Sequence, residues 1–366
     1  MLKKFAVTNF KGFRDRIELD LSKPRSYEFN DYALRDGIIK DAIIYGPNGS
    51  GKSNLGLAVF DIINHLSTRM KMPQYYVSSV YAGAPDRPMY FEYTFLFDGN
   101  DLEYRYAKNS KSVLIEEELL EDGKTVFRRD GSSFFLDQEE FPMVPEKLEV
   151  LRENSNNISI INNLLISYPL DKNHYLNRLT SFVDSMLWFR SLEERGFMGL
   201  KTQSEILEEF IIDNNLTDDF SAFLSEVSGQ SYTFVPPQKG DRLLICRIGD
   251  SSVPFDAVRS TGTSSLTLLY YWLNNLNGAS LVFIDNFDAL YHYSVSTAAC
   301  RRLFSLDCQV ILASHNTWLM TNELLRPDCN FLLENNAIRP LSDCTDRELR
   351  LGHNIEKMYR GRAFNT

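Results

Sequence analysis

Cysteine is scarce, at 5 residues in 366. Cys246, Cys300, Cys308, Cys329 and Cys344 are an odd number and include no C-x-x-C pair, which argues for reduced core thiols over a disulfide or zinc framework. The nearest two, Cys300 and Cys308, are expected on a helix and at the strand after it. Long apolar runs are also missing. No stretch approaches the roughly 18 uninterrupted apolar residues of a membrane-crossing helix. The opening Met1-Leu2-Lys3-Lys4-Phe5-Ala6-Val7 is basic without the apolar segment of a signal peptide, so a cytoplasmic location is expected. Positive charge is outnumbered, 39 Lys+Arg against 49 Asp+Glu, for a net charge of −10 and a pI near 5.2. That balance argues against a continuous basic surface, and nothing in the sequence supports nucleic acid binding beyond a local groove.

Clustered catalytic residues of a nuclease or metalloenzyme are absent too. His65, His174, His292, His315 and His353 are scattered, with no H-x-x-x-H or D-x-D pattern. No heptad persists over several turns, which excludes a long coiled-coil arm, and there are no internal repeats or low-complexity segments. What the chain does have is apolar material: 43% hydrophobic and 13% aromatic residues, enough for a large core in one composite α/β domain or two smaller ones.

It also has one complete motif. Gly46-Pro47-Asn48-Gly49-Ser50-Gly51-Lys52-Ser53 satisfies every position of the G-x-x-x-x-G-K-[ST] phosphate-binding loop, followed by Asn54 in the first helical turn. The glycines let successive backbone N–H groups converge on phosphates, Lys52 adds a positive charge, and Ser53 offers its hydroxyl to Mg²⁺. The frame is present on both sides. Asp41-Ala42-Ile43-Ile44-Tyr45 reads as a buried strand, and Leu55, Val59, Ile62, Ile63 and Leu66 recur at helical spacing, which predicts a helix ending near Met70. ATP with Mg²⁺ is the expected ligand pair.

The rest divides into three parts. Residues 1–140 open with a hairpin around Asn9-Phe10-Lys11-Gly12-Phe13, carry the phosphate loop, and continue as an antiparallel meander with turns at Asp98-Gly99, Asp122-Gly123 and Asp130-Gly131. Residues 141–230 have helical periodicity, including Leu176, Leu179, Phe182, Val183, Met186 and Leu187, and read as a helical insertion. Residues 231–366 return to alternating strands and helices. There Ser280-Leu281-Val282-Phe283-Ile284-Asp285 is an apolar strand ending in a carboxylate suited to the metal side of the site. Val310-Ile311-Leu312-Ala313 is a second buried strand, and Ser314-His315 follows it. Arg259-Ser260-Thr261-Gly262-Thr263 opens an amphipathic helix and could cap an anion.

Taken together, the opening turn, the phosphate loop, Ser260-Thr261-Gly262-Thr263, Ile284-Asp285-Asn286-Phe287-Asp288 and Ser314-His315-Asn316 resemble the ABC-type ATPases related to RecF and the SMC proteins. Within the AAA family they resemble most the short bacterial RloA/AbiL-type ATPases of phage-defence systems. The resemblance implies an α/β P-loop NTPase of the ABC-ATPase head type, with an antiparallel β lobe and the helical insertion. It implies a homodimer or higher homo-oligomer in which the Thr261-Gly262-Thr263 cap of one head meets the ATP of the other, with His315 sensing the γ-phosphate. An effector from a neighbouring gene, expected to be a nuclease, would be the partner. Phe10, Lys11 and Phe13 either touch the nucleotide base or form hairpin core with a solvated lysine. Gln74 and Gln138 are the candidates for the glutamine that couples nucleotide to the helical lobe. One departure stands out: Asn286 occupies the position where the family has its catalytic glutamate. Losing that base costs about 10²–10⁴-fold in rate. Either the chain was altered to trap ATP or it hydrolyses slowly by nature; the usual trapping change is the isosteric glutamine, which favours the second. Asp288 is a partial substitute base, a dimer-loop residue or a helix cap. The competing functions are a RecF-like repair ATPase and a self-contained ATPase whose insertion is toxic.

Overall fold

Strands that are apolar along most of their length end up covered on both faces, and four such runs build the centre of this protein. A computed structural model describes residues 1–131, 133–155, 158–190, 196–200, 207–238 and 240–364. In it Met186–Phe189, Leu281–Ile284, Gln309–Ser314 and Asp41–Tyr45 are buried throughout. They pair in parallel in that order, followed by Asn330–Glu334. Phe197–Gly199 and Ala337–Pro340 close the two edges antiparallel, giving seven strands. Ile284 is level with Leu312 and Ser314 with Tyr45. The residues that follow these three strands, Asp285, His315 and Gly46, therefore emerge side by side at the carboxyl edge, where open parallel sheets bind ligands.

The meander forms a second seven-stranded sheet, antiparallel, in the order Ser133–Leu136, Lys124–Asp130, Leu114–Glu121, Asn100–Lys108, Met89–Phe97, Leu2–Thr8, Ile17–Asp20. Two of its hairpins are set by turns that place Asp98, Gly99, Asp122 and Gly123 at φ of 52°, 90°, 46° and 79°. Asp and Gly tolerate this left-handed region, which matches the strand twist. The inner face is aromatic. Tyr93 donates its hydroxyl to Ala58 O at 3.0 Å, which fastens the sheet to the helix after the phosphate loop.

That helix, Lys52–Val59, is shorter than its periodicity predicts. Phe60 to Ile62 form a turn, and a second short helix, Ile63–Leu66, ends before Met70. The break falls at Asp61, whose buried carboxylate accepts from Tyr106 and Lys108 of the antiparallel sheet. The insertion contains the helices Pro145–Asn154, Ile160–Ser167, Tyr175–Asp184, Leu207–Asp213 and Thr217–Ser228. Met186 and Leu187 do not continue the third of these. With Trp188 and Phe189 they make four consecutive apolar residues, too continuous for one helix face but suited to a strand covered on both sides. The insertion thus lends a strand to the nucleotide-binding sheet. All five cysteines are buried and unpaired. Among the described residues no helix is long and apolar enough to cross a membrane.

Candidate nucleotide site

The phosphate loop needs glycine for three different reasons. At Gly46 a Cβ would stand 2.4 Å from Leu333 O, and at Gly51 it would stand 2.7 Å from the Phe13 ring with φ at 106°. Gly49 has open space but a φ of 79°. Pro47, Asn48 and Gly49 form the exposed tip, and the helix begins at Lys52. The opening turn lies against this loop. Phe10 and Phe13 are buried core residues, and a Cβ on Gly12 would stand 3.3 Å from the Asn54 amide. Of the three candidate base contacts, this leaves Lys11, half-buried at φ 47°.

Four side chains converge above the sheet edge. Lys52 Nζ donates to Gly46 O (2.8 Å) and Pro47 O (3.1 Å), and lies 3.3 Å from His315 Nδ1. Burial lowers its pKa to about 8. Ser53 Oγ donates to Asp285 Oδ1 at 2.9 Å. Asp285 is fully buried, and burial raises its pKa against the pull of Ser53 and Arg190. His315 is shifted down by burial and then by the Lys52 charge, so its neutral ring accepts from the ammonium. These groups suit a nucleotide. A desolvated ammonium is turned onto its own loop carbonyls, and Ser50 Oγ is buried inside the loop without a partner. A hydroxyl and one carboxylate are the protein's usual share of a Mg²⁺ shell completed by phosphates and water.

The loop bearing His315 is held from below. Ser314 Oγ donates to Asp288 Oδ1 (2.8 Å) and accepts from Asn316 N (2.9 Å). Asp288 is buried, and burial raises its pKa. It holds the loop that bears His315. Asn286 sits between the two acids at φ 53°, a left-handed conformation that asparagine adopts far more readily than glutamate.

Arg190 is a site residue that the motif reading missed. It follows the strand Met186–Phe189, and its Nε lies 3.1 Å from Asp285 Oδ2. The signal was in the sequence: an apolar run capped by a charge, the same pattern that picked out Asp285. Removing it leaves the buried carboxylate without this counter-charge. In Arg190→Ala the melting temperature of the nucleotide-free protein is expected to fall, by about 3–5 kcal/mol of stability at most. ATP–Mg²⁺ should shrink the deficit, because the metal takes over the counter-charge. An equal deficit with and without ATP–Mg²⁺, read by scanning calorimetry, would assign Arg190 a purely structural role.

Thr261, Gly262 and Thr263 begin the helix Thr261–Asn275, with Ser260 as its cap through a bond from Thr263 N (3.1 Å). Thr263 is fully buried and its hydroxyl donates to Gln230 Oε1 at 2.8 Å, so that hydroxyl is occupied within the chain. Thr261 is exposed. A Cβ on Gly262 would stand 2.9 Å from Leu290 O. Among the described residues no hydrogen bond or ion pair joins this cap to the phosphate loop of the same chain. Gln74 lies on the turn Pro73–Tyr76, where its amide meets Met72 Sδ; the adjacent Tyr75 ring packs beneath the Arg190 guanidinium. Gln138 instead bonds backbone beyond the far edge strand of the antiparallel sheet.

Residues 42–321 match the family described as "AAA domain, putative AbiEii toxin, Type IV TA system". The chain belongs to this AAA family. Membership implies nucleotide binding and ATP hydrolysis, in keeping with the phosphate loop between the strand Asp41–Tyr45 and the helix Lys52–Val59. Solved structures similar to this AAA protein include the SMC head domain from Thermotoga maritima, at 16% identity over 93% of this chain and 98% of that one with a TM-score of 0.45. Another is an SMC head bound to the C-terminal winged-helix domain of ScpA, at 14% identity over 93% and 97% with a TM-score of 0.47. A third is the SMC head with an extended coiled coil from Pyrococcus furiosus, bound to the C-terminal domain of ScpA, at 14% identity over 99% of both chains with a TM-score of 0.44. No curated protein matches the chain in sequence.

Proposed function

We propose that this chain is a cytoplasmic ATP-binding and slowly hydrolysing switch of a bacterial anti-phage, abortive-infection system of the RloA/AbiL kind. In this reading it dimerises on ATP and controls a separate effector, a nuclease. The observation that carries the switch is the convergence of Lys52, Ser53, Asp285 and His315 at one sheet edge, with Asn286 where a general base would stand. Lys52 holds the β- and γ-phosphates, the loop N–H groups orient them, and His315 contacts the γ-phosphate. Ser53 and Asp285 hold Mg²⁺, which supplies charge neutralisation during phosphoryl transfer. Without a carboxylate at 286 the bound state is long-lived, which suits signalling by occupancy.

The exposed Thr261 hydroxyl and the free N–H groups at the start of its helix are the part of the cap that can face a partner's γ-phosphate. Light scattering should therefore show monomers that become dimers on adding ATP–Mg²⁺. In Thr261→Asp the new carboxylate would repel the phosphate by about 4 kcal/mol at 4 Å and an intermediate dielectric, so dimers should vanish while ATP still binds. Normal dimerisation by this variant would reduce the cap to a helix start. The defence role is tested by co-expression with the adjacent open reading frame under phage challenge. Protection that requires both genes and Lys52 supports it; a replication gene next door with no protection would favour repair.

A further inference from the structure

Where the phosphate-loop helix ends, the fold forms a half-open cavity of about 650 Å³, a size suited to a small ligand. The two short helical turns, the antiparallel sheet, the turn Pro73–Tyr76 and the insertion each contribute a wall. Its charges do not balance. Asp61 is fully engaged: Lys108 and Tyr106 donate to Oδ2, and Asn64 Nδ2 donates to Oδ1 at 3.3 Å. Two cations remain. Lys71 Nζ donates to Asn64 O at 3.0 Å, a neutral carbonyl. Arg129 is only 6% exposed, yet its Nε and Nη2 lack hydrogen-bond partners. It forms an ion pair with Glu117, 3.5 Å from Nη2 to Oε2, but the Glu117 oxygens already accept from Tyr104 Oη and Ile160 N.

His65 adds the opposite polarity. Because the Tyr104 hydroxyl donates to Glu117, His65 Nε2 at 3.0 Å is the donor to the Tyr104 oxygen. The ring is neutral, since burial pushes its pKa well down. Nδ1 is therefore a bare acceptor, and it too is buried without a partner. A buried guanidinium, a lysine and an unmet acceptor around one cavity call for an anion that also carries a donor.

We propose that this cavity is a second ligand site, which takes a small phosphorylated compound of about mononucleotide size. Its phosphate oxygens meet Arg129 and Lys71, and an N–H or O–H group meets His65 Nδ1. The cavity is wired to the nucleotide site. Tyr76 in its wall donates to Leu57 O of the phosphate-loop helix at 2.9 Å. The adjacent Tyr75 stacks edge-on against Trp188 and lies 5.7 Å under Arg190, the partner of Asp285. Occupancy that moves this turn alters ATP affinity, a linkage that rests on the nucleotide reading of Lys52 and Asp285.

Calorimetric titration of the full chain with inorganic pyrophosphate and with GMP, in saturating ATP–Mg²⁺, tests the site. Binding of at least one probe to the parent chain is expected, weakened at least about tenfold in Lys71→Ala and in Arg129→Gln, and retained in Lys52→Ala apart from the factor by which bound ATP couples to the probe. Lys71 is half-buried and bonds only a backbone carbonyl, so its variant folds even where the Arg129 variant does not. No binding of either probe overturns the site. So does binding lost in Lys52→Ala but kept in Lys71→Ala, which would place the probe in the phosphate loop. Titration of Lys52→Ala without ATP reads the cavity with the phosphate loop disabled, so probe binding there, beside a parent chain that binds no ATP, would sink the nucleotide reading and leave this one standing. The bound probe should change ATP affinity at least about fivefold and lose that effect in Tyr75→Leu. Unchanged ATP affinity with the probe bound overturns the linkage.

Discussion

Lys52→Ala is expected to abolish ATP binding at accessible concentrations. Truncating one partner of a buried charge pair costs about 2–5 kcal/mol, roughly 30-fold to several thousand-fold in affinity. Among the described residues of the loop, 46–53, Lys52 is the one charged side chain. The fold should survive. In the nucleotide-free protein the Lys52 ammonium is desolvated and its pKa stands at about 8, below the unfolded value, so the charged form is penalised by folding and its removal does not destabilise. The same shift sets a pH dependence. Phosphates favour the protonated amine, whereas above about pH 8 the free protein holds it neutral, so binding must take up a proton. ATP affinity should hold below pH 8 and fall as pH rises through it. Calorimetry across that range checks both statements. Equal affinity in mutant and parent, or affinity flat to pH 9.5, would remove Lys52 from the site.

Asn286→Glu is expected to raise ATP turnover at least about tenfold, because a carboxylate at this position can take the proton of the attacking water. The backbone opposes the change. At a φ of 53° a glutamate costs about 1–2 kcal/mol that asparagine largely avoids, so the faster variant should also melt at a lower temperature. Single-turnover hydrolysis separates chemistry from product release. A variant that loses stability and gains no rate in single turnover would place the base elsewhere, and Asp288, bonded to Ser314 under the loop that bears His315, would be the next residue to replace.

The legibility of the site follows from which residues act through local geometry. Gly46 to Ser53 could be read directly, because a phosphate loop is a backbone conformation that its own glycines dictate. Asp285 and His315 were legible for a related reason. Asp285 directly follows a short apolar run and His315 follows one with Ser314 between, and a parallel sheet delivers the residues after its strands to one edge. Asn286 was visible as a departure, but its left-handed backbone was not. Arg190 went unread because Met186–Phe189 continues the helical spacing of the segment before it. A helix and a strand leave similar traces over four residues, and only pairing with Leu281–Ile284 distinguishes them.

The sequence by itself determined that this protein is an α/β P-loop ATPase, since a complete motif between a buried strand and a helix leaves little choice of fold. It also determined the antiparallel lobe, through Asp-Gly turns that fix hairpins locally. Tertiary structure alone decided which polar groups are spent within the chain and which remain for a ligand. Thr261 and Thr263 are alike in sequence, yet one is exposed and the other is buried on Gln230. Arg129 is one arginine among many until burial takes away its water and leaves two of its nitrogens without a hydrogen bond, beside Glu117 as its ion-pair partner. Propensity and periodicity act within a few residues, whereas desolvation and partner choice depend on chain segments far apart in sequence, and folding alone brings those together.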